Sequence, residues 1–491
     1  MSIWDSPMMA RRADAAPKRQ ARGFQAARLD RFTAGWLAET ASINAELRND
    51  LDRLRARARH LAKNDALAQK YIRMTVAGLV GPPGYTLQSK AGDGGVVDTA
   101  DASAIESAFA EWSQRGVCDI SGQRSFRSIC ETIAASLPTD GEFLVRKIVG
   151  AAARNRFRFT LQLIDVDRID TTLQQAAGAG RNAIVMGIEI DAQRRPVAYH
   201  ILTAHPADNN AARVRERIPA DEILHGFVAD HAEQLRGVPW MAPGILTLHH
   251  LGRFEESALL AARNGADRIG FFTTPDGAPP AINDGTGAAD ETPITVTVPG
   301  QYDTLPDGVQ FTAYESKYPD AIMGDFVKLY QRRAASAFNV AYNGLANDLE
   351  GVNYGSLRGG SIDERDNWMA RQEWLIDTFL APLFDAWLSV ALLAGAITGA
   401  GGAPLPAGKF AKFRPHRWQG RRWQWIDPLK DIEAQRAAVR SGITSPQRIA
   451  AQTGVDIADV IDELRQFESA AAGLQIIDLI APTAQPAEPA P

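Results

Sequence analysis

At 491 residues, 45% hydrophobic and 23% charged, the chain is too long for one core and has the balance of a folded globular protein rather than a disordered polymer. Two cysteines, Cys118 and Cys130, exclude a disulfide framework and fit a reducing compartment. The formal net charge of −5 is mild and unevenly spread.

The first 40 residues form a basic arm, with Arg11, Arg12, Lys18, Arg19, Arg22, Arg28 and Arg31 set against Asp14 and Asp30. It is Ala/Arg-rich and is expected to be poorly ordered alone. No apolar run follows a charged start, so no secretory signal is expected. From Asn44 to Leu79 the apolar residues Leu47, Leu51, Leu54, Ala58 and Leu61 recur at helical steps. The run Gly81, Pro82, Pro83, Gly84 ends that pattern. Helices follow at Asp101–Trp112 and at Ser125–Leu137, where Phe126, Ile129, Ile133 and Leu137 share one face.

The period then changes to two. Phe143–Ile148 is a strand candidate, and in Arg156–Leu163 the residues Phe157, Phe159, Leu161 and Leu163 alternate with polar ones. Ile184–Ile190, Val197–Leu202 and Glu222–Phe227 continue the β reading. A β-rich module thus lies between two helices, one ending near Leu137 and one starting near Pro243. An insertion of that kind would cap a helical hairpin. Beyond it, Ile294–Val298 reads as a short strand and Phe326–Val340 as a helix. Ser361 with Glu364 makes a capping box that predicts a helix start, with a kink or stop at Pro382. The apolar stretch from Trp387 to Thr398 is too short to span a bilayer.

Lys409, Lys412, Arg414, Arg417, Arg421 and Arg422 form a second basic run with Trp418, Trp423 and Trp425 interleaved. Such a mixture can grip nucleic acid; the plainer reading is a solvated loop whose tryptophans dock on a neighbouring surface. Three short helices close the folded part, opening at Asp427–Pro428, Ser445–Pro446 and Asp456. Pro482–Pro491 is a disordered tail. There are no internal repeats.

No phosphate loop, dinucleotide fingerprint, HExxH or CxxC pair is present, which excludes an ATP-driven motor of the usual kind. Asp165, Asp167 and Asp170 could suggest a Mg²⁺ site, but acids at alternate strand positions do not converge by themselves, so no metal and no cofactor is expected. His249 and His250 read as ordinary helix residues. Gln447–Val455 with the helix after it mimics a helix-turn-helix. That helix carries Asp456, Asp459, Asp462, Glu463 and Glu468 against Arg465 alone, so it would repel a duplex. Its stripe of Ile457, Val460, Ile461, Leu464 and Phe467 suits packing instead. A DNA-binding regulator using this segment, or a capsid-associated enzyme, are the alternatives these features leave.

One long stretch is more specific than any short motif. From Ile218 to Asp267 a strand, Glu222–Phe227, runs through a turn at Arg236, Gly237, Val238, Pro239 and Trp240 into a long helix. This resembles portal proteins of lambda-like tailed bacteriophages, most strongly in 44–80, 141–169, 218–272 and 427–464. The resemblance implies an α+β, mainly helical portal fold with a helical wing, a helical-hairpin stem, a β-rich clip and a C-terminal helical crown. It maps residues 1–40 to the arm, 41–124 and 268–426 to the wing, 125–138 and 241–267 to the stem, 139–240 to the clip, 427–475 to the crown and 476–491 to the tail. Within the stem helices it maps Ser125–Leu137 and Pro243–Asp267.

A channel-facing loop is expected near 301–320, with Tyr302, Lys317 and Tyr318 as its candidates. Arg253, Glu255, Glu256 and Arg263 are candidate ring contacts, and small residues at Gly252, Ser257, Ala258, Ala261, Ala262 and Gly265 let adjacent helices approach. The implied function is a non-enzymatic ring of twelve subunits at one capsid vertex, passing double-stranded DNA without sequence specificity. Its implied partners are the terminase large subunit, major capsid and scaffold proteins, and head-completion proteins. The implied location is the virion, and the host cytoplasm during assembly.

Overall fold

The computed structural model describes residues 40–93, 96–178, 180–208, 214–266, 270–273, 310–313, 323–423, 428–453 and 457–471. Two helices, α1 (Ile43–Asn64) and α2 (Ala66–Leu79), stand where periodicity predicts one. The break is Asp65, whose carboxylate accepts from the Ala68 N–H at 2.7 Å and caps α2. The apolar face continues across it through Leu61, Ala68 and Tyr71, which hides the break from the sequence pattern.

Short strands β1 (Thr86–Ser89), β2 (Gly92–Asp93) and β3 (Val96–Val97) lead to α3 (Thr99–Trp112) and α4 (Phe126–Asp140). Ser125 caps α4, and Gly141 closes it with a left-handed φ of 76°. A Cβ on Gly141 would lie 2.1 Å from the carbonyl carbon of Val238, because the chain crosses directly over this helix end. Gly141→Ala therefore combines backbone strain with a backbone clash, and a loss of about 1–3 kcal/mol is expected. An unchanged urea midpoint in that variant would sink the argument.

Next come β4 (Glu142–Val149), β5 (Phe159–Ile164), β6 (Ala183–Val185), β7 (Ile188–Ile190), β8 (Pro196–Leu202), β9 (Arg215–Pro219) and β10 (Ile223–Phe227). The run expected as one strand over Ile184–Ile190 is a hairpin, turned by Met186 and Gly187 at φ 48° and 78°. Strands β6 to β9 form an antiparallel meander, while β10, β4 and β5 pair in that order as a second antiparallel sheet. The faces of this second sheet go to different cores. Phe143, Val145, Phe159 and Leu161 enter the main helical core; Leu144, Ile164 and Ile223 join the meander's Ile188, Ile190, Tyr199 and Ile201. A sheet buried on both faces is a layer, not a cap.

This corrects one expectation. The chain on either side of the β module does come together, with Trp240 and Met241 N–H groups donating to Leu137 and Pro138 carbonyls at 3.3 and 3.1 Å. The helices do not form the expected hairpin. Helix α5 (Ile245–Ala266) packs along α6 (Met323–Phe338) and α1, while α4 gives its apolar face to α1, α2 and β4. Between α5 and α6, strands β11 (Gly270–Thr273) and β12 (Gln310–Ala313) pair antiparallel. The strand expected at Ile294–Val298 and the loop candidates Tyr302, Lys317 and Tyr318 lie outside the described residues.

After α7 (Tyr342–Ala346), helix α8 (Tyr354–Leu375) runs through a π turn at Ile376–Leu380 into α9 (Ala381–Leu393). One expectation is overturned here, and of the kink or stop expected at Pro382 the stop is excluded. Ser361 is inside α8 rather than its cap, and Glu364 instead accepts from the Ala341 N–H at 3.2 Å and from Trp368 Nε1 at 3.0 Å. Pro382 does not stop the helix, which continues through a widened turn just before it, where the Ala381 N–H donates to the Ile376 carbonyl five residues back. Residues Gly359–Leu393 are long and apolar enough to cross a membrane by length and composition. Phe379, Leu383, Phe384, Trp387 and Leu388 are nevertheless fully buried, so the stretch is the central core helix.

The last described elements are α10 (Phe410–Phe413), β13 (His416–Gln419), α11 (Pro428–Arg440), α12 (Pro446–Thr453) and α13 (Ile457–Ala471). Strand β13, inside what reads as a basic loop, pairs with β1. Its Trp418 sits 5.5 Å from Phe109 and 6.3 Å from Phe126, within the main aromatic cluster.

Candidate assembly surfaces

Helices α5 and α6 meet through Phe254 and Phe326, whose rings are 4.7 Å apart. Their outer faces carry large apolar side chains among charged ones: Leu246, Leu259 and Leu260 on α5 and Leu329 on α6 are 58–62% exposed. Large apolar side chains gathered on one exposed hairpin mark an interaction surface. Among the ring-contact candidates, Arg253 donates to Glu256 of the same helix at 3.1 Å, both 70% exposed. That pair stabilises α5 by only about 0.2–0.5 kcal/mol. Glu255 and Arg263 are also exposed on α5. Of the small residues, Gly252 faces open space, whereas Ala258 is already buried within the chain. His249 and His250 are exposed, with rings 5.7 Å apart.

Behind the hairpin, α1 is tied to the two-faced sheet by buried charge that the sequence reading missed. Glu142 on β4 is fully buried between Arg55 of α1 and Arg236, each 2.6 Å from its Oε1. Its other oxygen accepts from the Gly237 N–H at 2.6 Å and lies 3.2 Å from His225 Nε2. Burial alone would raise this carboxyl; the charges of Arg236 and Arg55, with the His225 hydrogen bond, outweigh burial and hold it well below the usual range. The available signal was Arg55 itself, a charge on the apolar face of α1 four residues after Leu51 and three before Ala58.

The acids weighed as a Mg²⁺ site belong to the same latch. Asp165, Asp167 and His205 cluster, but Arg59 pairs with Asp165 at 3.5 Å and with Asp167 more closely, and also holds Asp140 at 2.7 Å. Asp170 turns away to Arg215 at 2.6 Å. Guanidinium groups already supply the positive charge these carboxylates need.

The basic run is largely committed inside the chain. Lys412 reaches Asp98 and Asp101 at 2.8 and 2.6 Å, and Arg414 makes a fork to Asp385 at 2.7 Å. Arg421 donates to the Ala77 carbonyl and lies over the Trp423 ring; Arg422 donates to Gln372 Oε1 at 3.0 Å. Lys409 and Arg417 are exposed. The run is therefore not one continuous cationic face.

In the last helices, Ile432, Val439, Ile449, Ile457 and Val460 line an apolar groove of about 540 Å³ between α11, α12 and α13. Farther along α13, Ile461, Leu464 and Phe467 are 41–46% exposed beside exposed Glu463 and Glu468. The stripe expected to pack on neighbouring helices is thus only partly covered within the chain.

The family described as phage portal protein, lambda family, matches residues 29–372. The probable portal protein of Halomonas phage phiHAP-1 is 34% identical over 474 residues, spanning 93% of this chain and 90% of that protein. Among solved structures, a chain in the neck of an empty GTA particle aligns with a TM-score of 0.42 at 14% identity, over 83% of this chain and 93% of its own. A chain in the virion of a native GTA particle aligns at 0.43 and 11% over the same shares.

Proposed function

Because the chain belongs to the lambda family of phage portal proteins, we propose that it closes into a homo-oligomeric ring of twelve subunits at one capsid vertex. A phage portal protein is part of the virion; assembly would take place in the host cytoplasm. The ring would pass double-stranded DNA inward during packaging and outward on ejection, as a structural part with no catalytic role.

The observation that carries this reading is the α5–α6 hairpin with its uncovered leucines. Ring contacts are head-to-tail, so each subunit needs two different complementary faces, and a hairpin exposed on its outer side supplies such faces. We place the stem in this hairpin and the clip in residues 267–322 between its arms, where β11 pairs with β12. This replaces 125–138 and 139–240, whose apolar residues are spent in the core. The wing is then the helical core with both sheets, and the crown α11–α13. The clip would dock the terminase large subunit and later the head-completion proteins, and the wing the major capsid and scaffold proteins.

Native mass spectrometry with negative-stain imaging tests the reading. A closed ring of about a dozen subunits with a central hole is expected. A stable monomer or dimer under all conditions would overturn it.

A further inference from the structure

A cleft of about 690 Å³ opens where α8, β13 with the loop after it, and the start of α12 converge. Arg365 of α8, Arg417 of β13, Arg422 of the loop and Arg448 of α12 line it, against a single acid, Asp366. Lys412 and Arg414 nearby have carboxylate partners. Among the described residues no carboxylate makes an ion pair with Arg365, Arg417, Arg422 or Arg448, and Arg422 has the neutral Gln372 amide as its partner.

The cleft is also built from behind. Gln372, 1% exposed, donates to the Gly78 carbonyl at 2.7 Å and presents Oε1 to Arg422 at 3.0 Å. A neutral amide oxygen orients that guanidinium without cancelling its charge. Beside the cleft, burial first and the charge of Arg365 second lower the Arg421 guanidinium from its ordinary value. Four like charges on three separate elements repel one another until an anion enters, and planar guanidinium forks match phosphate oxygens.

We infer that this cleft grips the phosphate backbone of double-stranded DNA. The inference rests on the conduit reading above and requires that the ring turn this cleft toward the DNA it encloses, once per subunit. Arginine contacts to phosphate carry no sequence information, so the grip is compatible with passage of any sequence. It would act as a drag on sliding DNA that salt weakens.

The test uses the full-length protein, a short fluorescent duplex of random sequence, and anisotropy titrations from about 50 to about 200 mM salt. Ring mass is measured on the same samples. Wild type is expected to bind with affinity falling steeply as salt rises. The triple variant Arg365→Ala, Arg417→Ala, Arg448→Ala is expected to lose roughly ten- to a hundredfold at low salt, with a salt slope shallower by about 0.9 for each phosphate contact removed. Lys409→Ala, outside the cleft wall, is the control and should bind as wild type does.

Wild-type rings that fail to bind at low salt overturn the inference and leave the ring reading standing. So does a triple variant with unchanged affinity and slope. A triple variant that binds DNA normally but falls into monomers overturns it too, because the cleft would then receive the acidic α13 of a neighbouring copy. Wild type that never forms a ring counts against the conduit reading, while the anisotropy difference still decides the cleft.

Discussion

Glu142→Gln is expected to lower stability by about 3–5 kcal/mol, the usual cost of removing one partner from a buried ion pair. The side chain keeps its shape and loses its charge. Arg55 and Arg236, 1% and 0% exposed, would then face an amide in place of the carboxylate between them. The amide also brings a donor nitrogen to a position where donors already converge: the Gly237 N–H at 2.6 Å on one oxygen, and two guanidinium groups at 2.6 Å on the other. Because α1, β4 and the 234–237 segment meet at this carboxylate, the loss should spread beyond one helix.

The readouts are soluble yield and the denaturant midpoint, and a variant that unfolds where wild type does would refute the role assigned to Glu142. The sign of the pH dependence follows from its depressed folded pKa. Its contribution is fully present above the unfolded value of about 4.5 and is lost as pH falls through the lower, folded value. Glu142→Gln should remove that component of acid sensitivity and leave behaviour near neutral pH flat.

The second large effect falls on assembly rather than folding. Leu259→Asp with Leu260→Asp should leave the subunit folded, because both side chains are already mostly in solvent, at 62% and 58% exposure. If the hairpin faces meet in a ring, each leucine buries apolar surface there worth roughly 1.5–3 kcal/mol. Losing both would weaken each subunit contact on the order of a hundredfold or more. The expected result is a monomer by native mass spectrometry with an unaltered circular dichroism spectrum. Intact rings in the double variant would move the contact off this hairpin.

What was legible in the sequence followed from local chemistry. Ser125 before an apolar face gave α4, Ser445 before Pro446 gave α12, and alternation gave β5. The failures share a cause: partners distant in sequence. Ser361 and Glu364 have the spacing of a cap, yet Glu364 is engaged by Ala341 and Trp368, and α8 begins at Tyr354. The β module reads as an insert, but only the opposite burial of Phe143 and Leu144 reveals a sheet clad on both sides. Among the site candidates, Arg253 and Glu256 could be placed on one helix from sequence, while the internal commitments of Lys412 and Arg414 to Asp98, Asp101 and Asp385 could not. The cleft arginines come from positions 365, 417, 422 and 448, and no window of sequence contains them all.

The pairing of β1 with β13 bears on the order of events during synthesis. Thr86 to Ser89 waits for His416 to Gln419, and Trp418 is a wall of the cluster formed by Phe109, Phe126 and Phe384. A nascent chain still short of residue 416 has that wall missing, so the main core closes only when translation is nearly finished. Ribosome-bound or prematurely terminated chains would expose apolar rings and be cleared before they could join an oligomer. A chain cut short of β13 would therefore leave β1 without its pairing strand and the aromatic cluster without Trp418.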